Sequence, residues 1–313
     1  MNILITGGAG FIGSHLCDEL LGQGHTLVAV DNLVLGREEN IAHLFSHSGF
    51  TFCKGDILDA AFFEALFVDN RFDVVFHLAA NSDIQKGGND PMVDYELTFR
   101  TTFNVLQCMR KYGVAQLVFA STSAIYGETT DLLWENYGPL RPVSNYGAAK
   151  LASEAYITAF AASYGIRAWI TRFPNVVGER FTHGVIYDFI RKLKNNPHEL
   201  TVLGNGEQIK PYMYVKDLVR GIMYVWENSH EPVNVYNLGV DSRTKVKDIA
   251  RMVIEELGLQ AHIVYTGGDR GWVGDVPEFK YDLSKIHLLG WQAQHTSDEA
   301  VSLAIKKAIE YSK

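Results

Sequence analysis

A glycine-rich turn between a short apolar strand and a helix constrains this chain more than any other stretch. Asn2-Ile3-Leu4-Ile5-Thr6 is apolar and β-branched, which predicts a buried strand. Gly7-Gly8-Ala9-Gly10-Phe11-Ile12-Gly13 follows, and Ser14 to Leu21 predicts a helix. Gly8, Gly10 and Gly13 fit G-x-G-x-x-G, and Gly7, Gly10 and Gly13 fit the wider G-x-x-G-x-x-G. Such a turn lets backbone N–H groups approach a pyrophosphate at a helix N-terminus, where the dipole also favours negative charge. With a strand before it and a helix after it, the turn predicts a dinucleotide site rather than a plain glycine bend.

The next strand adds to that reading. Thr26-Leu27-Val28-Ala29-Val30 is apolar and ends in Asp31. This acid follows Gly13 at about the 20-residue spacing of a carboxylate that hydrogen-bonds the adenosine ribose. A carboxylate there repels a 2′-phosphate, so NAD is favoured over NADP. The plainer alternative is a strand-end Asp capping a turn with Asn32, and Arg37 stands near enough to meet a phosphate.

Strand and helix patterns alternate from there. Glu38 to His47 predicts a short helix, Gly49 to Asp56 a third strand and its exit, and Ala60–Phe67 a helix. Asp73 to Ala80 predicts a fourth strand, Asn81 to Asn89 a polar loop, and Pro91 to Tyr112 one long helix. Gln116 to Ser121, Asn145 to Ser163 and Ala168 to Arg172 continue the series as strand, helix and strand. This alternation predicts an α/β fold, a doubly wound parallel (Rossmann) sheet. Past Pro174 it fades, and Glu207 to Tyr214, Val233 to Leu238 and Val246–Leu257 read as a smaller mixed α/β lobe. The expected division is 1–172 for the dinucleotide domain and 173–313 for the lobe, with a soft boundary and some segments returning to the sheet.

Composition narrows the class. The 313 residues are 47% hydrophobic and 20% charged, as in an ordinary globular protein, and the net charge of −8 speaks against nonspecific nucleic-acid binding. No apolar run approaches the length that spans a bilayer, so no membrane partner is expected. The chain enters a strand at once without a basic leader, which reads as cytoplasmic. Cys17, Cys53 and Cys108 form no C-x-x-C pattern and suit a reducing compartment. His43 and His47 lack a nearby acid, and no metal site is expected.

Tyr146 and Lys150 lie one helical turn apart on one face. A tyrosine titrates near pH 10 in isolation. A neighbouring ammonium favours the phenolate, and a nicotinamide cation would favour it further. Tyr146 then becomes a usable base and acid for interconverting a hydroxyl and a carbonyl. Thr122 closes a hydroxyl-rich strand exit, Ser121-Thr122-Ser123, and can hydrogen-bond the same substrate oxygen. At the other strand ends, Asp56 and Ile57 are placed to hold an adenine edge, with an N-cap for the following helix as the plainer role of Asp56. Small residues at Ala79 and Ala80 leave room for a flat cofactor or for close packing.

Thr6 to His15, Asp31-Asn32, Gly55-Asp56-Ile57, His77-Leu78-Ala79-Ala80, Ser121 to Gly127, Tyr146-Gly147-Ala148-Ala149-Lys150 and Arg172 to Gly178 together resemble the extended short-chain dehydrogenases/reductases. More narrowly they resemble NAD-dependent nucleotide-sugar epimerases of the UDP-glucose 4-epimerase type. The resemblance implies that Tyr146 is the catalytic base, that Lys150 binds the nicotinamide ribose and tunes Tyr146, and that Thr122 assists at the sugar hydroxyl. It implies an NAD site lined by Gly7, Gly10, Phe11, Ile12, Asp31, Asn32, Asp56, Ile57, Leu78, Ala79 and Ala80, with Tyr146 and Lys150. It also implies Asn175 at the nucleotide diphosphate, a UDP-hexose substrate and a homodimer formed through the helices Pro91–Tyr112 and Tyr146–Ser163.

The residues after Thr122 discriminate among relatives. Dehydratases of this kind carry Asp and Glu there to eliminate water, and UDP-glucuronate decarboxylases usually carry Glu in the second place. Here Ser123 and Ala124 offer no acid, which favours C4 oxidation followed by re-reduction. A reductase or dehydratase of the same family is the alternative, and a binding protein that lost catalysis is a further one. Three places depart from the family pattern. Thr98 stands where Asn is usual. Lys210 stands where an arginine commonly grips the diphosphate, and offers a point charge without the planar fork; its plainer role is a solvated lysine. Arg270 lies two residues further from Gly274-Asp275 than the usual phosphate-binding arginine, and either reaches the phosphate or fixes its loop. His183, Tyr187 and Phe189 either touch the nucleotide or pack.

Overall fold

The computed structural model of the chain describes residues 1–271 and 276–310. One sheet holds seven strands: β1 (Asn2–Thr6), β2 (Thr26–Asp31), β3 (Phe50–Lys54), β4 (Val74–His77), β5 (Gln116–Thr122), β6 (Arg167–Phe173) and β7 (Val233–Asn237). Their order is β7-β6-β5-β4-β1-β2-β3. The pairs β1–β2, β1–β4, β2–β3 and β4–β5 are parallel. Thr6 stands opposite Val30 on one side and His77 on the other. The glycine turn therefore leaves β1 between the exits of β2 and β4, where the strand order reverses and connections run to opposite faces.

The strands are apolar without alternation because helices cover both faces. Ile3, Leu4 and Ile5 of β1, like Val74, Val75 and Phe76 of β4, are fully buried. The helices that matter here are α1 (Phe11–Gly22), α2 (Ala60–Asp69), α3 (Ile84–Asn89), α4 (Pro91–Asp94), α5 (Thr101–Tyr112) and α6 (Asn145–Tyr164). Ser144 caps α6 by accepting the Gly147 N–H at 3.1 Å, and Gly165 ends it in the left-handed region at φ 70°. Val105, Leu106 and Met109 of α5 and Ile157 and Phe160 of α6 pack with Leu117 and Phe119 of β5 in the core.

Several local expectations change. Glu38 to His47 forms two short 3₁₀ turns, Glu38–Asn40 and Ala42–Leu44, rather than one helix. The cause is the glycine turn: Ala9 O accepts from Arg37 N at 3.0 Å and from Asn40 Nδ2 at 2.9 Å, which ties this stretch down. The polar loop after β4 contains α3, capped by Asp83. The long helix from Pro91 is interrupted by a π turn over Tyr95–Arg100. Val233–Asn237 is one of the segments that return to the main sheet.

The chain divides into two compact units. One comprises Met1–Ile125, Arg141–Arg172 and Ile222–Tyr236, and the other Tyr126–Leu140, Phe173–Gly221 and Asn237–Lys313. The alternation of strands and helices did not signal that Tyr126–Leu140 belongs to the second unit. Among the described residues no helix is long and apolar enough to cross a membrane.

Candidate active site

The glycine turn is shaped by close backbone contacts. Gly7 adopts φ +74°, and a Cβ on it would stand 2.9 Å from Ala79 N. A Cβ on Gly13 would stand 2.1 Å from Gly7 O, so only glycine lets α1 begin this close to β1. Gly10 precedes the first turn of α1, which has no side-chain cap and no acidic residue, leaving its N–H groups for an anion. Asp31 is buried and braced by the turn: Oδ2 accepts from Ala9 N at 3.1 Å and Oδ1 from Leu33 N at 2.8 Å. Burial pushes its carboxyl up, against those N–H bonds.

Neighbouring strand exits complete this edge. Asn32 Nδ2 donates to Asp56 Oδ2 at 3.0 Å, and Asp56 Oδ1 accepts from Leu58 N at 2.8 Å. Asp56 is thus not the cap of α2; Asp59 fills that place, accepting from Ala61 N and Phe62 N. Buried Ile57 offers its carbonyl to Asn104 Nδ2 at 3.1 Å. Leu78, Ala79 and Ala80 are half-buried, and Thr6 Oγ1 accepts from the N–H groups of Leu78 and Ala79 at 3.2 and 3.3 Å. Phe11 and Ile12 are half-buried on the first turn of α1. The cradle that a Cβ would fill, the braced carboxylate and the small residues after β4 all fit a dinucleotide.

Thr122 ends β5, while Tyr146 and Lys150 lie on the first two turns of α6, in the same unit. Tyr146 is half-buried by area, although its hydroxyl end lies deep among surrounding atoms. Burial pushes the phenol up to about 12, the hydrogen bond from Thr122 pulls it back, and the Asp94 charge raises it again. The expected depression by Lys150 is therefore not realised in the protein alone. Lys150 is itself 2% exposed, and burial lowers it to about 7 against the charges of Glu154 and Asp94. An amine so poorly charged is a weak source of phenolate. Its Nζ donates to Ala120 O at 2.6 Å and stands 4.6 Å from the centre of the Phe119 ring.

A buried frame holds this pair. Glu154, one turn beyond Lys150, accepts from Arg172 Nε at 3.1 Å and Nη2 at 2.6 Å, and also from the Ser121 hydroxyl. The ion pair links α6 to β6 and β5 beside Thr122. His77 at the end of β4 is fully buried between Thr6 Oγ1 at 2.7 Å and Thr102 Oγ1 at 3.0 Å. Burial lowers it to about 3, so it is a neutral hydrogen-bonding bridge. Thr98, in the π turn, accepts from Asn81 N at 3.1 Å, so threonine still makes a bridge in place of the usual Asn.

The second unit carries the other expected site residues. Asn175 is exposed on the short strand Asn175–Val177, paired with Tyr212. Lys210 is 9% exposed and pairs with Thr244, which removes it from the solvated-lysine reading. Arg270 donates from Nη2 to Glu128 Oε1 at 2.8 Å. Gly274 and Asp275, against which its spacing was read, lie outside the described residues. Tyr187 is exposed, whereas Phe189 is buried on the apolar side of the helix Val185–Asn195 and packs. His183 is exposed beside Thr182, which its Nδ1 meets at 3.2 Å.

A sequence profile described as the NAD dependent epimerase/dehydratase family matches residues 3–239. This chain belongs to that family. NAD is the family's cofactor, and the fold of this NAD-dependent epimerase/dehydratase extends over whole relatives. A UDP-galactose 4-epimerase crystal structure is 37% identical with TM-score 0.88, covering 99% of both chains. UDP-glucose 4-epimerase from Thermus thermophilus, solved with NAD, is 31% identical with TM-score 0.87 over 98% of both chains. UDP-glucuronic acid decarboxylase 1 of Arabidopsis thaliana is 30% identical over 93% of this chain and 66% of that protein. The relatives share the nucleotide-sugar class but differ in reaction.

In this epimerase/dehydratase, sequence reasoning missed Glu154 and Asp94. Glu154 had a usable signal, since it continues the one-turn spacing of Tyr146 and Lys150 along a helix that is buried on that face. Asp94 had none, because only the folded chain brings α4 against α6.

Proposed function

We propose that this enzyme inverts C4 of a nucleotide-activated hexose, of the UDP-glucose/UDP-galactose type, through a transient 4-keto sugar. The observation that carries the reading is the placement in one unit of Thr122 at the end of β5 and of Tyr146 and Lys150 one turn apart on α6, with Ser123 and Ala124 where an eliminating enzyme needs acids. When bound, NAD supplies the hydride acceptor and donor and, in its oxidised form, a positive charge. Tyr146 takes the proton of the C4 hydroxyl as the carbonyl forms and returns it after the sugar has presented its other face. Thr122 bonds the same oxygen and keeps the phenol oriented. Lys150 binds the nicotinamide ribose and opposes the cost of the phenolate. Asn175 and Lys210 hold the diphosphate, and Arg270 joins them by leaving Glu128.

Several features support a homodimer through α5, α6 and the turns before them. Met92, Tyr95, Tyr156 and Tyr164 are exposed there, and Tyr156 meets the rings of Phe99 and Phe103 edge-on at 5.2 and 5.6 Å. Free thiols at Cys17, Cys53 and Cys108 suit a cytoplasmic enzyme. The test is to incubate the purified protein with a panel of nucleotide sugars, adding no cofactor, and to resolve the products. A C4 epimer without net NADH change is expected. Loss of water would instead identify the dehydratase alternative, and turnover only in a parallel incubation that supplies and consumes reduced cofactor would identify the reductase.

A further inference from the structure

Asn40 ends the 3₁₀ turn Glu38–Asn40 and is 8% exposed. Its Nδ2 donates to Ala9 O at 2.9 Å, and Arg37 N donates to the same carbonyl at 3.0 Å. The N–H of that peptide, on Gly10, donates to Gly7 O at 3.1 Å. The N–H before it, on Ala9, donates to Asp31 Oδ2 at 3.1 Å. Asp31 thus holds Ala9 from its N–H side and Asn40 holds it from its carbonyl side. The stretch between β2 and the 3₁₀ turn also packs on the acid. A Cβ on Gly36 would stand 2.7 Å from either carboxylate oxygen, and Leu33, at φ 60°, donates its N–H to Oδ1 at 2.8 Å.

A turn built on Gly7, Gly8 and Gly10 has little stiffness of its own, because glycine reaches both signs of φ at low cost. Bonds from outside the turn must fix its peptide planes. α1 begins at Phe11, directly after the Ala9–Gly10 peptide, and its first turn has no side-chain cap. The tilt of that peptide therefore sets where the first N–H groups of α1 point. We propose that Asn40 is a positioning residue for the dinucleotide: by fixing the Ala9 carbonyl it aims the start of α1 at the pyrophosphate. The inference rests on NAD as the family's cofactor and on no particular reaction.

The bland alternative is that the Asn40 side chain only ties down its own loop. That loop is already anchored without it. Arg37 N reaches Ala9 O by a backbone bond that almost any residue could make, and Asn40 N closes the 3₁₀ turn on Arg37 O at 3.1 Å. What the amide adds is a second donor on one carbonyl. A carbonyl oxygen has two lone pairs, and two donors from different directions define its plane where one leaves it free to pivot. Burying an amide is costly unless it is hydrogen-bonded, so a place this enclosed suits asparagine for the bond it makes.

The experiment compares wild-type, Asn40→Leu and Met109→Ala protein, all loaded with NAD. Met109→Ala is the control, a core truncation on α5 that costs stability in another element. Phosphorus NMR of the bound cofactor reads the pyrophosphate, and exchange against isotope-labelled NAD reads its release. In Asn40→Leu the phosphorus resonances should move and release should quicken about fivefold or more, as for one lost hydrogen bond, while Met109→Ala should keep the resonances and change release by less than about twofold. A folded Asn40→Leu protein in which either readout matches wild type overturns the proposal, and so does a Met109→Ala protein that moves both as far. Should Asn40→Leu not fold, Asn40→Ala removes the same donor without filling its place and is judged by the same two readouts. Neither readout needs turnover, so failure of the epimerase reading would leave this test standing and distinguishable.

Discussion

Replacing Glu154 with glutamine should lower stability far more than a one-atom change suggests. Glu154 and Arg172 are each 5% exposed, and the guanidinium makes two bonds to the carboxylate, at 3.1 and 2.6 Å. Glutamine keeps one acceptor oxygen but turns an amide N–H₂ toward a guanidinium that has only donors. It also leaves the Arg172 charge buried without an anion. Breaking a buried pair in this way costs about 3–5 kcal/mol. At roughly 2–4 °C per kcal/mol for a chain of this size, the melting temperature should fall by about 6–20 °C. The assay is thermal unfolding followed by circular dichroism, with NAD held at one concentration because bound cofactor adds its own stabilisation. Arg172→Met should cost a comparable amount. The double variant should recover at least about 2 kcal/mol relative to the sum, since neither charge is then left alone. A Glu154→Gln protein melting within about 2 °C of wild type, or strictly additive costs, would refute the ion-pair argument.

Three further outcomes are expected. Tyr146→Phe should retain NAD while turnover falls by about 10²–10⁴, and full activity in that variant would remove the assigned base. Gly13→Ala places a methyl 2.1 Å from Gly7 O, a backbone atom that cannot swing away, so NAD affinity measured by fluorescence titration should drop about tenfold or more; unchanged affinity would show that the turn does not hold the cofactor. His77 is held near 3, below its ordinary value, so the unfolded chain takes up the proton first. Stability should be intact above about pH 6.5 and decline as pH falls from there toward 3, and the decline should shrink in His77→Gln when urea midpoints are compared.

Much of the fold was legible because each signal was local. The apolar runs of β1, β2 and β4, the turn from Gly7 to Gly13 and the cap-to-glycine span of α6 are written in adjacent residues. The Glu38 to His47 stretch was misread because its conformation is decided by hydrogen bonds to Ala9, far away in the chain. The π turn was hidden for a related reason: Tyr95–Arg100 has an ordinary helical composition, while Asn81 N claims the Thr98 hydroxyl. Within the candidate site, the residue types of Tyr146, Lys150 and Thr122 were readable, but their protonation was not. Spacing gave Lys150 as a charge near the phenol; burial, which spacing does not report, weakens that charge and raises the phenol at once. Nothing in the spacing around Arg270 shows Glu128 beside it, the acid that it must leave to reach a phosphate.

Reversible oxidation at C4, with the Tyr146 phenol as its acid and base, is put to the test most directly by an isotope experiment. The nucleotide sugar that the purified enzyme turns over is supplied with deuterium on C4, with no cofactor added, and the product is resolved by NMR. The expected result is inverted configuration at C4 with the deuterium still on that carbon, no water lost, and product formed far more slowly by Tyr146→Phe. Deuterium found at C6 with loss of water, or washed out into solvent, would contradict it.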